Sequence, residues 1–365
     1  MRRGTGVLLA AALCFALLPR AGAAEVTVSA QSAVLMEAES GRVLYAKDAD
    51  TPRLIASTTK LMTALVALES GHSLEEDVTI PAEAAGVEGS SLYLKAGETV
   101  KLKTLLYGML LHSGNDAATA VALYCAGSLE AFAQKMNEKA QQLGMTNSHF
   151  TNPTGLDGEE HYSSAYDMAL LARACLDVPE LKEITATRST TMEGRTFVNH
   201  NKLLWRYEGC VGMKTGYTQA AGRTLVSAAE RDGMTLIAVT LNAPSDWADH
   251  AAMLDYGFEY YHMEEAVTVG QSLCSLPVSG SLVPFVSLET EETLRWPVGP
   301  GESLEMRLEL GGLTSLEAPV QAGVPMGRVE VLLNGEVVGE SDLSCATAVH
   351  RDRQEHTGWL DWLFG

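Results

Sequence analysis

The chain has 365 residues, 46% of them hydrophobic, and a formal net charge of −20. This is ample for a core and suggests roughly two domains, while the acidity excludes nucleic acid and anionic lipid as electrostatic partners. The scattered cysteines form no disulfide framework, and the nine histidines show no H-E-x-x-H or cysteine-pair spacing, so no metal site or cofactor is expected.

Arg2 and Arg3, an apolar run over 7–18 and the small residues Ala21-Gly22-Ala23 read as a signal peptide, residues 1–23. The run is too short to span a bilayer, and Leu13 makes Cys14 a poor lipidation site. The protein is therefore expected to be exported, to the outer face of the cytoplasmic membrane or the cell wall. Residues 33–47 form two alternating runs around Glu39-Ser40-Gly41, a hairpin signal. A helix begins at Ser57, and its residues 61–68 are apolar on nearly every face, so it should lie in the middle of the domain. Helices are expected over 100–111 and 117–125, on either side of Ser113-Gly114-Asn115, then over 129–143 and over 165–176, stopping near Pro179. After Cys210 the period changes to strands at 214–217, 223–229 and 234–241, the last two joined by Arg231-Asp232-Gly233, before a helix over 247–261. Strands at both ends with helices between them predict an α+β domain over 24–263, an antiparallel sheet flanked by helices.

Over 264–345 helical periodicity is gone and short alternating runs recur, for example 328–333 and 336–338 around Asn334-Gly335. This predicts a small β-sandwich-like domain. The tail, 346–365, carries Trp359 and Trp362 and reads either as a weak amphipathic membrane anchor or as a segment docked on the β domain. Cys274 and Cys345 flank the β region and could pair; nothing in the sequence decides it.

Three short motifs carry the chemistry: Ser57-Thr58-Thr59-Lys60, Ser113-Gly114-Asn115 and Lys214-Thr215-Gly216. Each alone is weak, but in this order they match the set used for acyl transfer through a serine ester with lysines in place of histidine. Ser57 and Lys60, three apart on a helix, share a face. The helix dipole, burial and a second lysine disfavour the charged form of Lys60, so a neutral Lys60 can serve as base for Ser57. Ser113 is expected to bridge Lys60 to Lys214 and relay a proton to the leaving amine, and Asn115 to hold the substrate and fix Lys60. On the strand, Gly216 leaves room for a substrate lying along the backbone, while Lys214 and Thr215 bind a terminal carboxylate. The backbone N–H groups of Ser57 and Tyr217 form the expected oxyanion hole.

The chain resembles the low-molecular-mass penicillin-binding proteins, the serine D-alanyl-D-alanine carboxypeptidases. The resemblance rests on LIASTTKLMTAL (54–65), the run 90–118 containing GETVKLKTLLYGMLLHSGNDAA, TNPTGLDG (151–158), YSSAYDMA (162–169) and GMKTGYTQAAGRTLV (212–226), and covers roughly residues 30 to 260. It implies a β-lactamase/DD-peptidase-like fold and removal of the terminal D-Ala from peptidoglycan stem peptides through a Ser57 acyl-enzyme. It also implies acylation by β-lactams and a part in cell-wall biogenesis and cell shape. Some relatives carry His where this chain has Tyr217, and Arg where it has His200, with Lys202 and Arg206 near; Arg223 is a further candidate for the carboxylate. A β-lactamase of the same fold is the alternative, but Glu159 and Glu160 read as exposed turn residues rather than as a deacylating acid. A non-catalytic penicillin- or peptidoglycan-binding module is the other alternative, disfavoured because every expected catalytic side chain is present.

Overall fold

A computed structural model of the chain describes residues 26–352. The signal-peptide reading lies outside the described residues, as do Trp359 and Trp362. A five-stranded antiparallel sheet organises the first part, in the order Val43–Lys47, Ser32–Glu37, Met234–Leu241, Gly222–Arg231 and Cys210–Thr218. The sheet is thus built from both ends of the segment, as the alternating runs predict. Asp232 and Gly233, both at positive φ (49° and 75°), make the two-residue turn between Gly222–Arg231 and Met234–Leu241.

Helix Asp246–Tyr260 covers one face of this sheet, and the other helices pack on the opposite face. Among them Lys60–Leu68 is central: every residue from Lys60 to Ala67 is buried, which accounts for a helix apolar on all sides. Residues 56–59 depart from expectation. Ala56–Thr59 is a 3-10 turn, so the α-helix starts at Lys60, and Ser57 stands on the tighter turn leading into it.

Other boundaries also moved. Val100 belongs to a short strand, Thr99–Lys101, paired with Asp77–Thr79; the β-branched pair Thr99-Val100 faces Thr79 and Val78, and the helix begins only at Leu102. The next helix starts at Asn115 rather than at 117, with Gly114 as its N-cap. Helix Ala165–Leu176 stops before Pro179 as expected, and Pro179 then opens a further helix, Pro179–Ala186; proline at the first position removes only an N–H that has no partner there. A hairpin, Ser189–Met192 with Arg195–Val198, had too little alternation to be read from sequence.

The second part contains a six-stranded sheet from strands between Leu304 and Cys345 together with Ser272–Ser279 and Phe285–Thr290, and a pair formed by His262–Val267 and Leu294–Val298. Asn334 and Gly335, at φ 51° and 90°, join Pro325–Leu333 to Glu336–Cys345. Cys274 and Cys345 both face Leu288 from the two sides of one strand. They are therefore two strand spacings apart, about 9–10 Å, beyond disulfide reach, and all five described cysteines are free thiols. The two parts meet through Arg42, which donates to Pro297 O and pairs with Glu302 at 2.5 Å, and through Arg295, which donates to Gly233 O at 3.0 Å.

Candidate active site

The three motifs come together where the edge strand Cys210–Thr218 runs past the Ser57 turn. A cleft of about 450 Å³ is lined by Ser57, Ser113, His200, Thr215, Gly216 and Tyr217, together with Ser90, Asn199, Lys202, Arg223, Asp246 and Trp247. Lys60, Asn115 and Lys214, only 0–4% exposed, lie beneath this surface.

The Ser57 turn is held in a strained shape. Ala56, immediately before the serine, has φ 47°, unusual for a residue with a Cβ. Several groups fix it. Thr58 Oγ1 donates to Ile55 O (2.6 Å), Thr59 Oγ1 to Ala56 O (2.8 Å), and Thr224 Oγ1, fully buried on the neighbouring strand, also donates to Ile55 O (3.0 Å). His161 completes the arrangement, its Nε2 lying 2.8 Å from Thr59 Oγ1. Burial lowers the His161 pKa to about 4, so the ring is neutral; its Nδ1 accepts from Thr151 N (3.1 Å), which leaves Nε2 as the donor to Thr59.

Lys60 makes three contacts: Ser57 Oγ at 3.0 Å, Asn115 Oδ1 at 2.7 Å and Thr154 O at 2.6 Å. Asn115 Nδ2 donates to Glu88 O (2.6 Å), which fixes the amide so that its oxygen faces the lysine. Burial is the largest cause holding the Lys60 pKa well below its usual value; Lys214 adds to it and Asp116 opposes it. A neutral amine has two hydrogens and one lone pair. Asn115 Oδ1 and Thr154 O can only accept, so they take the hydrogens, and the lone pair is left for the Ser57 hydroxyl. The neutral form that burial favours thus fits these contacts, with its lone pair toward Ser57 Oγ.

Lys214 donates to Thr215 O at 2.8 Å, and burial lowers its pKa to about 7. Among the described residues neither the Lys214 hydrogen bond nor those of Lys60 reach Ser113 Oγ, so the direct Lys60–Ser113–Lys214 bridge expected from sequence is not formed. The physical reason is that Asn115 and Thr154 occupy Lys60. Ser113 faces the cleft at φ 66°, a strained conformation at the C-terminal end of Leu102–Leu111. His200 stands at the rim with its ring 5.2 Å from that of His112; desolvation, then Lys214 and His112, lower its pKa to about 4. It is neutral near pH 7 and offers a carboxylate no cation.

Gly216 has a packing reason beside the one the sequence suggests. A Cβ there would lie 2.3 Å from Thr224 Oγ1, 3.0 Å from Ser57 N and 3.1 Å from Ala56 Cβ. Glycine lets the strand pack directly on the Ser57 turn, in addition to any room it leaves for substrate. Gly155, at φ 81°, does the same from the other side, where a Cβ would meet Ala56 O at 1.9 Å.

Four contributors went unread in the sequence: the Thr154 carbonyl, Asp116, His161 and Thr224. Asn152 Oδ1 accepts from Thr154 N, Thr154 Oγ1 and Gly155 N at 2.8–3.1 Å, an Asx turn that aims the Thr154 carbonyl at Lys60. The Asn-Pro-Thr-Gly string carried this signal. Asp116, fully buried, accepts from Leu92 N, Leu94 N and Ser91 Oγ and pins the loop that brings Ser90 to the cleft.

A family model described as D-alanyl-D-alanine carboxypeptidase matches residues 20–245. Among curated proteins the chain is similar to the D-alanyl-D-alanine carboxypeptidase DacF of Bacillus subtilis, 35% identical over 93% of this chain and 89% of the relative. It is likewise similar to the D-alanyl-D-alanine carboxypeptidase DacA of Escherichia coli, 34% identical over 92% and 90%. Among solved structures it resembles penicillin binding protein 5 from Haemophilus influenzae, with a TM-score of 0.77 and 31% identity over 89% of this chain and 98% of that one. The chain belongs to the D-alanyl-D-alanine carboxypeptidase family: it has the α+β penicillin-binding-protein fold and is a serine-type hydrolase.

Proposed function

We propose that this carboxypeptidase works through an ester on Ser57, with Lys60 as the base. The observation that carries the reading is the buried Lys60 amine, 3.0 Å from Ser57 Oγ with its other contacts both pure acceptors. Ser57 Oγ attacks the carbonyl of the penultimate D-Ala as its proton passes to Lys60 Nζ. The N–H groups of Ser57 and Tyr217 stabilise the oxyanion, an interaction worth about 3–4 kcal/mol per donor where such sites have been dissected. The proton taken up by Lys60 Nζ passes by way of Ser113 Oγ, once substrate fills the cleft, to the departing D-Ala amine, which leaves Lys60 neutral; water then hydrolyses the ester, its hydroxyl going to the acyl carbon and its proton back to Ser57 Oγ. Asn115 acts by fixing Lys60, and Lys214 and Thr215 receive the terminal carboxylate, with Gly216 and Tyr217 along the substrate and His200 at its edge as a neutral contact. β-Lactams acylate the same serine.

The substrate on this reading is the peptidoglycan stem peptide ending in D-Ala-D-Ala. Glu159 and Glu160 are exposed, which supports a carboxypeptidase over a β-lactamase with a deacylating acid. We also propose that residues 24–263 are the catalytic unit and 264–345 a separate β unit. Export by the leader and weak membrane contact through 346–365 complete the reading; among the described residues no helix is long and apolar enough to cross a membrane. The test is D-Ala release from a diacylated D-Ala-D-Ala peptide. Ser57→Ala should abolish it, and release retained by that variant would refute the assignment.

A further inference from the structure

The six-stranded sheet of the second part ends on one side in strand Leu304–Glu309. This strand pairs with Pro325–Leu333 on its inner side and, among the described residues, with no strand on its outer side. The pairing runs through all its residues without a bulge, and the strand carries no proline and no lysine. It therefore lacks several of the devices that keep a sheet edge from pairing with another chain. Met306 and Leu308 are 53% and 39% exposed, on the face that also carries Val331 and Val329 opposite them.

The register fixes which backbone groups are free. Asn334 N donates to Ser303 O, one step beyond Leu304 opposite Leu333, so Ser303 and Asn334 form a hydrogen-bonded pair. Such pairs alternate with non-bonded ones along an antiparallel ladder. Glu305, Arg307 and Glu309 therefore bond inward, and Leu304, Met306 and Leu308 turn their N–H and C=O groups outward.

A second copy of the same strand fits this edge, antiparallel and with Met306 opposite the partner's Met306. Leu304 then stands opposite the partner's Leu308, so outward groups meet outward groups and about six backbone hydrogen bonds can form. Glu305 stands opposite the partner's Arg307, and symmetry makes this ion pair twice. A shift by one residue would set outward groups against inward ones. The nearest other registers that keep the bonding, centred on Arg307 or on Glu305, would put like charges directly opposite. Arg307 is already held in place by Glu330, its Nε donating to Oε2 at 2.9 Å. Glu305 is exposed and pairs with no cation among the described residues, so the second copy supplies the one it lacks.

We propose that Leu304–Glu309 is a self-pairing edge, through which two copies of this chain form a symmetric dimer with one continuous sheet. The proposal is independent of the chemistry at Ser57. The interface is small, so the dimer is weak, with a Kd on the order of 10–100 µM.

The test is sedimentation velocity of the intact mature chain, at concentrations from well below to well above that value. A reversible monomer–dimer equilibrium is expected. Met306→Pro removes an outward N–H and leaves the inward ladder whole, because proline is tolerated where its missing N–H faces solvent. It should raise the Kd at least about 10-fold. Glu305→Arg sets arginine against the partner's Arg307 twice and should raise the Kd about 3- to 10-fold. Its sign is diagnostic: the chain carries a net charge of −20, so general repulsion between acidic copies would be relieved by the added arginine and the dimer would tighten. Thermal melts identify folded variants, and either folded variant decides the question. A chain that stays monomeric throughout would overturn the proposal and leave the edge to a strand of another protein. A dimer unmoved by both substitutions, or one that tightens in Glu305→Arg, would overturn it equally.

Discussion

Gly216→Ala is the sharpest probe of how the site is assembled. The new methyl would sit 2.3 Å from Thr224 Oγ1, 3.0 Å from Ser57 N and 3.1 Å from Ala56 Cβ. None of these neighbours is the free end of a long side chain. Thr224 is fully buried and tied to Ile55 O, and the other two belong to the strained turn that carries Ser57. Relief to an ordinary contact requires the Cys210–Thr218 strand to move about 1 Å away from Ser57 (normal carbon contacts lie near 3.5–4.0 Å). Overpacking of this kind costs about 1–3 kcal/mol, and a 1 Å misplacement of reacting groups costs about 100-fold in rate. The assay is penicillin acylation of the purified protein, followed by intact mass against time, beside a thermal melt. Both the acylation rate and the melting temperature should fall. If acylation falls while the melt is unchanged, glycine serves substrate passage alone; an unchanged acylation rate refutes the packing argument outright.

Asn152→Ala removes an acceptor shared by three donors around the Thr154 carbonyl. A stability loss of about 2–4 kcal/mol is expected, with slower acylation because Lys60 loses an aligned acceptor; wild-type acylation would contradict the role given to that carbonyl. The His161 pKa is lowered from its ordinary 6.5 to about 4, so its contribution to stability is complete above pH 6.5 and disappears as pH falls toward 4. This amounts to about 3 kcal/mol, to which His200 and His250 add with the same sign. Denaturant unfolding across that range should show a shallower pH slope in His161→Gln than in the unsubstituted protein, and parallel slopes would argue against a neutral buried ring.

The catalytic motifs were legible because each is a contiguous string, and their order along the chain survives in the fold as three walls of one cleft. The central helix was legible because apolar residues on every face leave only one place for it. What could not be read is what depends on contacts distant in sequence. The Asn152 turn aims the Thr154 carbonyl at Lys60 from 94 residues away, and no local pattern in 57–60 announces it. Thr224 looks like an ordinary strand residue until the register places it against Ile55 O. Gly216 invites a substrate-side explanation because the Ser57 turn behind it is invisible in the sequence. The 3-10 geometry at 56–59 was hidden for a similar reason: helix periodicity continues through it, while Ala56 takes a positive φ where Gly155 and Gly216 pack against the turn. Cys274 and Cys345 show the converse, since only strand order reveals that Leu288 stands between them.

The central claim is that Ser57 is the acylated nucleophile and Lys60 its base. Intact mass after brief exposure to penicillin, followed by peptide mapping, tests it most directly. The account predicts a single adduct on the peptide that contains Ser57, absent in Ser57→Ala and formed far more slowly in Lys60→Met. An adduct on any other residue, or one that persists in Ser57→Ala, would contradict it.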